Sequence, residues 1–346
     1  MPKKTNEERT LIKKRQWVER TAAVLHVSEE TTRHLLSIER QQSIRLNPLV
    51  ADVEKTLGQL QDLGWSGTPL EWSSDCYTVT SGLQAINSSE LAQNGAVYVQ
   101  NAASWLPVLA LNAQPGEEVL DVCAAPGGKT SHIAALANNE AIITANDNSR
   151  PRLAKLRSNL TRLGVTNVEY TLFDATQLAR KLEGRQFDKI LLDAPCSGEG
   201  MMTLPYDDLD SKKPSGSVAP LQNRLAGVKS QDKDFATWSI AHIKRLQQLQ
   251  KRILAQSWQL LKPGGTLVYS TCTMAPEENE AVIDYLLRHN DDVEVHQFKL
   301  GLNNRIPTVM SWNDKQFDDR VKFAIRLIPS PEIEAFFVCK LTKIKV

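Results

Sequence analysis

The stretch DVCAAPGGKT (Asp121–Thr130) decides the fold. The apolar run EEVLDVC (Glu117–Cys123) predicts a strand, which enters a turn of small residues, Ala124–Gly128, and then a helix from Lys129. Paired glycines let the backbone approach a ligand, and the helix N-terminus favours an anion. The string GKT suggests a phosphate loop, but GxxxxGK[ST] needs glycine where this chain has Cys123. GxGxxG is also missing, so the usual dinucleotide fingerprint is not met.

The same alternation continues outward. AIITAND (Ala141–Asp147), NVEYTLFD (Asn167–Asp174), FDKILLD (Phe187–Asp193) and GTLVYSTC (Gly265–Cys272) predict strands. Helices are expected over Arg150–Leu163, Trp238–Leu261 and Glu277–Arg288. Such alternation predicts a parallel doubly wound sheet. VKFAIRLI (Val321–Ile328) and AFFVCKL (Ala335–Leu341), separated by PSPEIE, predict a terminal antiparallel hairpin. A sheet closed this way is the pattern expected of a class I methyltransferase, an α/β Rossmann-like fold.

Three of these strands end in acids. Asp147 lies 20 residues after Gly127, where a carboxylate can accept both hydroxyls of a ribose. Asp174 and Asp193 close the next two strands. One such acid often caps the following helix, but three in succession point to a ligand. A nucleoside with a carboxylate and no phosphate, such as S-adenosylmethionine, fits better than a nicotinamide dinucleotide. Candidate cofactor contacts are Cys123, Ala124, Ala125, Pro126, Gly127, Gly128, Lys129, Asp147, Asp174 and Asp193, with Cys123 acting through its backbone.

Before the large domain, residues 1–42 predict a basic helical segment and residues 43–95 a small α+β module. The module comprises a strand Ser43–Leu49, a helix with Val53, Leu57, Leu60 and Leu63 on one face, and two short extended runs. The large domain is expected over 96–346, with a polar insertion at about 201–237 that is either a substrate-contacting loop or a mobile surface insertion. Lys and Arg number 41 against 40 Asp and Glu, so bulk charge does not announce a nucleic-acid binder. Residues 1–46, however, hold ten Lys or Arg against six Glu, an excess that could meet phosphates or form a solvated face. No apolar run reaches 18 residues, no leader opens the chain, and the five cysteines show no metal spacing. An intracellular, cytoplasmic protein with reduced thiols, no metal and no membrane partner is expected.

Cys196 in DAPCSGEG and Cys272 in YSTCTMAPEENE each follow a strand and sit among turn residues. Cysteine more often packs as a small buried hydrophobe, the reading applied to Cys76 and Cys339. At the carboxyl end of a strand it faces the ligand crevice instead. If the fourth and fifth strands are neighbours, both thiols share that crevice.

Together DVCAAPGGKT, DAPCSGEG and STCTMAPEENE resemble the Nop/Sun family of RNA cytosine-C5 methyltransferases. RLNPL (Arg45–Leu49), GAVYVQNAAS (Gly95–Ser104), NDNSRPRLAKLRSNLTRLG (Asn146–Gly164) and EAFFVCKL (Glu334–Leu341) extend the likeness from about residue 40 to the end. The chain departs from the family pattern at Ala335, where glycine is usual, and in the length of the stretch after Gly200.

The resemblance implies that Cys272 is the nucleophile and Cys196 the group that assists release. Cytosine C5 is a weak nucleophile, and thiolate addition at C6 makes it reactive. After transfer a base must take the C5 proton. Asp193 contacts the cytosine N3/N4 edge, the cofactor, or both; it must be protonated to donate to N3. The substrate implied is RNA, ribosomal RNA ahead of transfer RNA, with the cytosine single-stranded or flipped. A monomer is expected. Arg45 and the basic N-terminal helices are candidate phosphate contacts, whereas Trp65, Trp72 and Tyr77 are expected to pack the module. The rivals are a methyltransferase for DNA or a small molecule, and a non-catalytic RNA-binding assembly factor.

Overall fold

The computed structural model describes residues 5–209 and 235–345, so most of the expected insertion at 201–237 lies outside the described residues. Strands β1 (Gln42–Leu46), β2 (Pro69–Leu70), β3 (Ser73–Val79) and β4 (Val97–Val99) form an antiparallel sheet in the order β2-β3-β1-β4. Helix Val53–Asp62 starts at Asp52, whose carboxylate accepts the Lys55 N–H, and it buries Leu60 with Ile44, Leu46, Val79 and Ile86. β4 places Val99 opposite Ile44. The small sheet therefore extends past the expected boundary at residue 95, because VYV pairs more closely in space with the module than with the strand that follows it.

The large sheet contains β5 (Glu118–Asp121), β6 (Ile142–Asn146), β7 (Val168–Thr171), β8 (Phe187–Asp193), β9 (Leu261–Thr271), β10 (Val293–His296) and β11 (Arg305–Ile306). β12 (Ser311–Trp312) and β13 (Lys315–Gln316) make a separate hairpin, and β14 (Ile325–Leu327) and β15 (Phe336–Lys343) complete the large sheet. Its order is β11-β14-β15-β9-β8-β5-β6-β7, with β10 also on β15. β5 through β9 run parallel, and β15 lies antiparallel to β9. The chain runs outward from β5 through β6 to β7, then returns to β8 on the other side of β5. Connections leaving β5 and β8 thus diverge and open a crevice at the switch point.

Alternate strand residues feed two cores. Ile190, Leu192, Tyr269 and Phe337 pack with Leu254, Trp258 and Ile283 on one face. Leu191, Val268, Phe336 and Val338 pack with Trp105, Ile133, Leu156 and Leu160 on the other. A sheet covered on both faces explains why the parallel strands read as continuous apolar runs.

The N-terminal helix Asn6–Leu25 opens with a capping box between Thr5 and Glu8. It buries Trp17 and Val18 against Phe235, Trp238, Met274 and Ala335 of the large domain. Three of its basic residues hold that domain. Lys13 donates to the carbonyls of Phe235 and Ala236 at 2.8 and 2.9 Å, Lys14 pairs with Asp208 at 2.5 Å, and Arg20 pairs with Glu277. Arg40 donates to the Met202 carbonyl at 3.0 Å. Arg45, expected at an RNA phosphate, is fully buried and donates to the Ser131 hydroxyl at 2.8 Å. Its place on β1, between the two domains, removes it from any RNA surface. Trp65 and Tyr77 meet edge to face at 5.7 Å and pack the module as expected, whereas Trp72 packs on Trp105 in the core of the large domain.

Candidate active site

β5, β8 and β9 end side by side, and the turns beyond them carry the candidate residues. Asp193 lies opposite Ser270 in the β8–β9 register. Chains leaving two parallel strands at one level bring Cys196 and Cys272 together, with their sulfurs 3.1 Å apart. The loops are stitched at several further points. The Gly200 N–H donates to the Cys272 carbonyl at 2.9 Å, and the hydroxyls of Ser197 and Thr273 lie 2.9 Å apart.

The Cys272 thiol is held well above its ordinary pKa. Its hydrogen bond with Cys196 favours the protonated form, burial adds to this, and the charges of Glu334 and Asp193 act in the same direction. An ionised Cys272 therefore needs a cation. Lys129, from the turn after β5, supplies one. Burial works against its ammonium, but the Asp193 carboxylate outweighs burial and raises its pKa, and charge on Cys272 adds to that effect.

Asp193 holds Lys129 Nζ at 2.7 Å on Oδ2 and accepts from the Ser270 hydroxyl at 2.8 Å on Oδ1. Both oxygens thus accept, one from a cation and one from a hydroxyl. Glu334 stands nearby and accepts from the Asn101 amide at 2.8 Å. Burial pushes its carboxyl up to about 7, with Arg40 and Lys129 opposing and Asp193 adding.

The glycine turn is held from both sides. The Ala124 N–H donates to the Asn146 carbonyl at 2.8 Å. Helix Arg150–Arg162 reaches back, with Arg152 bonding the Ala125 carbonyl and Asn159 the Pro126 carbonyl, both at 2.8 Å. Gly127 takes a left-handed φ of 106° and starts helix Gly128–Leu136. On Gly128 a Cβ would stand 2.7 Å from the Gln100 side chain. Burial and the carboxylates of Asp121, Asp193 and Asp147 push the Cys123 thiol up, so it is inert.

Asp147, 3% exposed, accepts from the Ser149 N–H at 2.9 Å and faces Arg152 at 3.2 Å. Each of its oxygens keeps a further lone pair for a ribose hydroxyl. Asp174 does cap the turn after β7, accepting the N–H and hydroxyl of Thr176 through Oδ1. These carboxylate acceptors suit the hydroxyls of a nucleoside. They do not suit a phosphate, because the cation at the helix start is already paired with Asp193.

Sequence reading missed the supports beneath the thiols. Glu277, Glu278, Asn279 and Glu280 are all buried. Glu280 forms an ion pair with Arg326 at 2.5 Å. Asn279 accepts from the Thr271 hydroxyl and donates to the Thr273 carbonyl at 2.9 Å. Glu199 accepts from Trp238 at 2.7 Å and Thr273 at 3.1 Å. The signal was present in four consecutive polar residues, Glu277–Glu280, that begin five positions after the strand-end Cys272.

A family model described as 16S rRNA methyltransferase RsmB/F matches residues 108–225 and 224–342. The tRNA (cytosine(49)-C(5))-methyltransferase of Pyrococcus abyssi is 34% identical over 305 residues, 87% of this chain and 88% of the relative. Ribosomal RNA small subunit methyltransferase F of Aeromonas salmonicida is 37% identical over 258 residues, 73% of this chain and 48% of the relative. The chain thus spans about half the length of such bacterial relatives. Among solved structures, a methyltransferase homolog protein from Pyrococcus horikoshii matches 94% of this chain and 99% of its own. Its identity is 31% and its TM-score 0.72. NSun6 from the same organism, 21% identical with a TM-score of 0.72, covers 95% of this chain and 98% of its own and shares the fold. The fold is that of the class I methyltransferases, and the chain belongs to the 16S rRNA methyltransferase RsmB/F family.

Proposed function

We propose that this chain is an S-adenosylmethionine-dependent RNA cytosine-C5 methyltransferase working through a covalent adduct. The observation that carries the reading is the pair of thiols 3.1 Å apart beside the Lys129–Asp193 pair, at the mouth of the switch-point crevice. The carboxylates of Asp147 and Asp174 and the turn Cys123–Lys129 would hold the cofactor. When bound, S-adenosylmethionine supplies a methyl group on an electrophilic sulfonium.

The chain's own residues then have separate tasks. Cys272, as thiolate, adds to C6 of cytosine; a sulfur–carbon bond forms and C5 becomes the nucleophile. Asp193, ionised and anchored by Lys129 and Ser270, accepts from the exocyclic amine. Once C5 carries the methyl and the Cys272 sulfur is bonded to C6, Cys196, as thiolate, takes the C5 proton and becomes a thiol. The freed electron pair restores the C5–C6 double bond, and the bond to Cys272 breaks. Two thiols in contact favour this scheme over a methyltransferase with one thiol, and intact acids and thiols argue against a non-catalytic assembly factor.

The favoured substrate is ribosomal RNA, in line with the family and the bacterial relatives. Transfer RNA is the second reading, favoured by the Pyrococcus abyssi relative matched over 88% of its length. Bisulfite sequencing of RNA from cells with and without the gene tests both. One 5-methylcytosine lost from ribosomal RNA supports the first, one lost from transfer RNA supports the second, and no loss sinks both.

A further inference from the structure

Cys196 is gripped from behind by two buried polar side chains outside the thiol and cofactor sets. Gln250, on helix Ile240–Gln259, donates to the carbonyl of Pro195 at 2.9 Å. The carboxylate of Glu278 accepts the N–H of Ser197 at 3.0 Å. The peptide groups on either side of Cys196 are thereby fixed. The two supports are also bonded to each other, Gln250 Nε2 to Glu278 Oε2 at 2.8 Å. Both are 0% exposed. Glu278 is anchored in turn through its backbone carbonyl, which accepts from the Tyr269 hydroxyl at 2.6 Å.

We infer that Gln250 and Glu278 are positioning residues for Cys196 and set the rate of the release step. This deepens the proposed function and rests on its assignment of release to Cys196.

Several features support the inference. A buried carboxylate and a buried primary amide are costly to keep away from water, and Gln250 Oε1 has no hydrogen-bond partner among the described residues. Apolar side chains of similar volume would fill the same space between helix and loop at lower cost. What the pair adds is orientation. A carbonyl and an N–H two residues apart are both held, which leaves the intervening Cα–Cβ bond little freedom. Cys272 needs no such bracket, because its carbonyl is bonded to Gly200 and its residue follows directly from β9. Loosening the bracket should therefore slow proton removal from C5 more than addition at C6.

The test uses the full chain with substrate RNA and S-adenosylmethionine, comparing wild type, Glu278→Met, Gln250→Met and Cys196→Ala. Glu278→Met removes at nearly constant volume the single oxygen that accepts both the Ser197 N–H and the Gln250 amide, so the Ser197 arm lets go. Gln250→Met removes the Pro195 arm and the bond to Glu278 at nearly constant volume, and it serves as the reading if the first variant does not fold. Denaturing electrophoresis measures the fraction of RNA linked to protein. Expected is a rise of about tenfold over wild type for the bracket variants, with kcat lowered and KM for S-adenosylmethionine within about twofold. If Cys196→Ala accumulates adduct while the bracket variants lose methylation at the wild-type adduct level, the positioning role is wrong. If Cys196→Ala accumulates none, the assignment of release to Cys196 is wrong instead.

Discussion

At the scale of single residues, the two thiols are chemically alike and differ by what surrounds them. Cys272 is held protonated by its partner thiol, by burial and by Glu334 and Asp193, and Lys129 is the cation available when it ionises. Cys196→Ala should therefore accumulate an adduct with substrate RNA that survives denaturation, and Cys272→Ala should form none. The opposite pattern on a denaturing gel would exchange the two roles. Asp121 makes a second prediction. It is 1% exposed under the glycine turn and bonded to the Thr130 hydroxyl at 2.7 Å, and burial pushes its carboxyl up to about 7. An acid whose folded pKa lies above its unfolded value of ~3.9 binds more protons folded than unfolded between those values. Stability is thus lost as pH rises from about 4 to about 7, and below 4 the two states are equally protonated. Against Asp121→Asn, the wild type should lose roughly 2–4 kcal/mol over that window, measured by urea unfolding at pH 5 and pH 8. Equal slopes for the two proteins would remove the linkage. The thiols were legible in the sequence because cysteine after a strand is an uncommon residue in a marked place. Gln250 and Glu278 were not, because a Gln in a polar helix and a Glu in an acidic run look like surface until the fold buries them.

At the scale of elements, the strands were legible where both sheet faces are covered. FDKILLD coincides with β8, and AIITAND differs from β6 only at its ends. The module boundary was not legible, since VYV carries no sign of which sheet it will join. Nor was the β12–β13 hairpin anticipated, although Asn313 and Asp314, at φ of 48° and 60°, are residues that accept left-handed turns. The junction between elements also explains the departure at Ala335. That residue is buried with Trp17, Phe235 and Met274, where a methyl group is welcome. The close approach falls on its neighbour instead. A Cβ on Gly200 would press into the Ala335 carbonyl and stand 2.9 Å from the Cys272 carbonyl. Gly200→Ala should therefore push the two cysteine loops apart, costing about 1–3 kcal/mol of stability through overpacking. Methyl transfer should fall about 100-fold, because a shift of that kind misplaces reacting groups. Isothermal titration with S-adenosylmethionine should still show binding, since the cofactor turn lies on β5 and is not touched. A variant with full activity would mean that the loops can separate freely.

At the scale of the whole molecule, the basic N-terminal segment is a clamp, and its charge misled the reading. Lys13, Lys14, Arg20 and Arg40 all reach the large domain, and the partners of Lys13, Lys14 and Arg40 flank both ends of the segment that leaves Cys196. A charge excess in sequence cannot show whether it will meet phosphates or carbonyls of its own chain. The apolar residues between the charges settle the matter here, because Trp17 is fully buried against Phe235 at 5.4 Å, edge to face. Trp17→Ala should lower stability by about 3–5 kcal/mol, the usual cost of removing a buried aromatic side chain. Trp17→Phe should cost much less. It keeps most of the packing and removes an indole N–H that has no partner among the described residues. RNA binding supplies the contrast. Lys13→Ala removes a cation bonded to two carbonyls, so the salt dependence of RNA affinity should keep its slope while the melting temperature falls. A slope reduced by about one unit would instead return Lys13 to the phosphate surface.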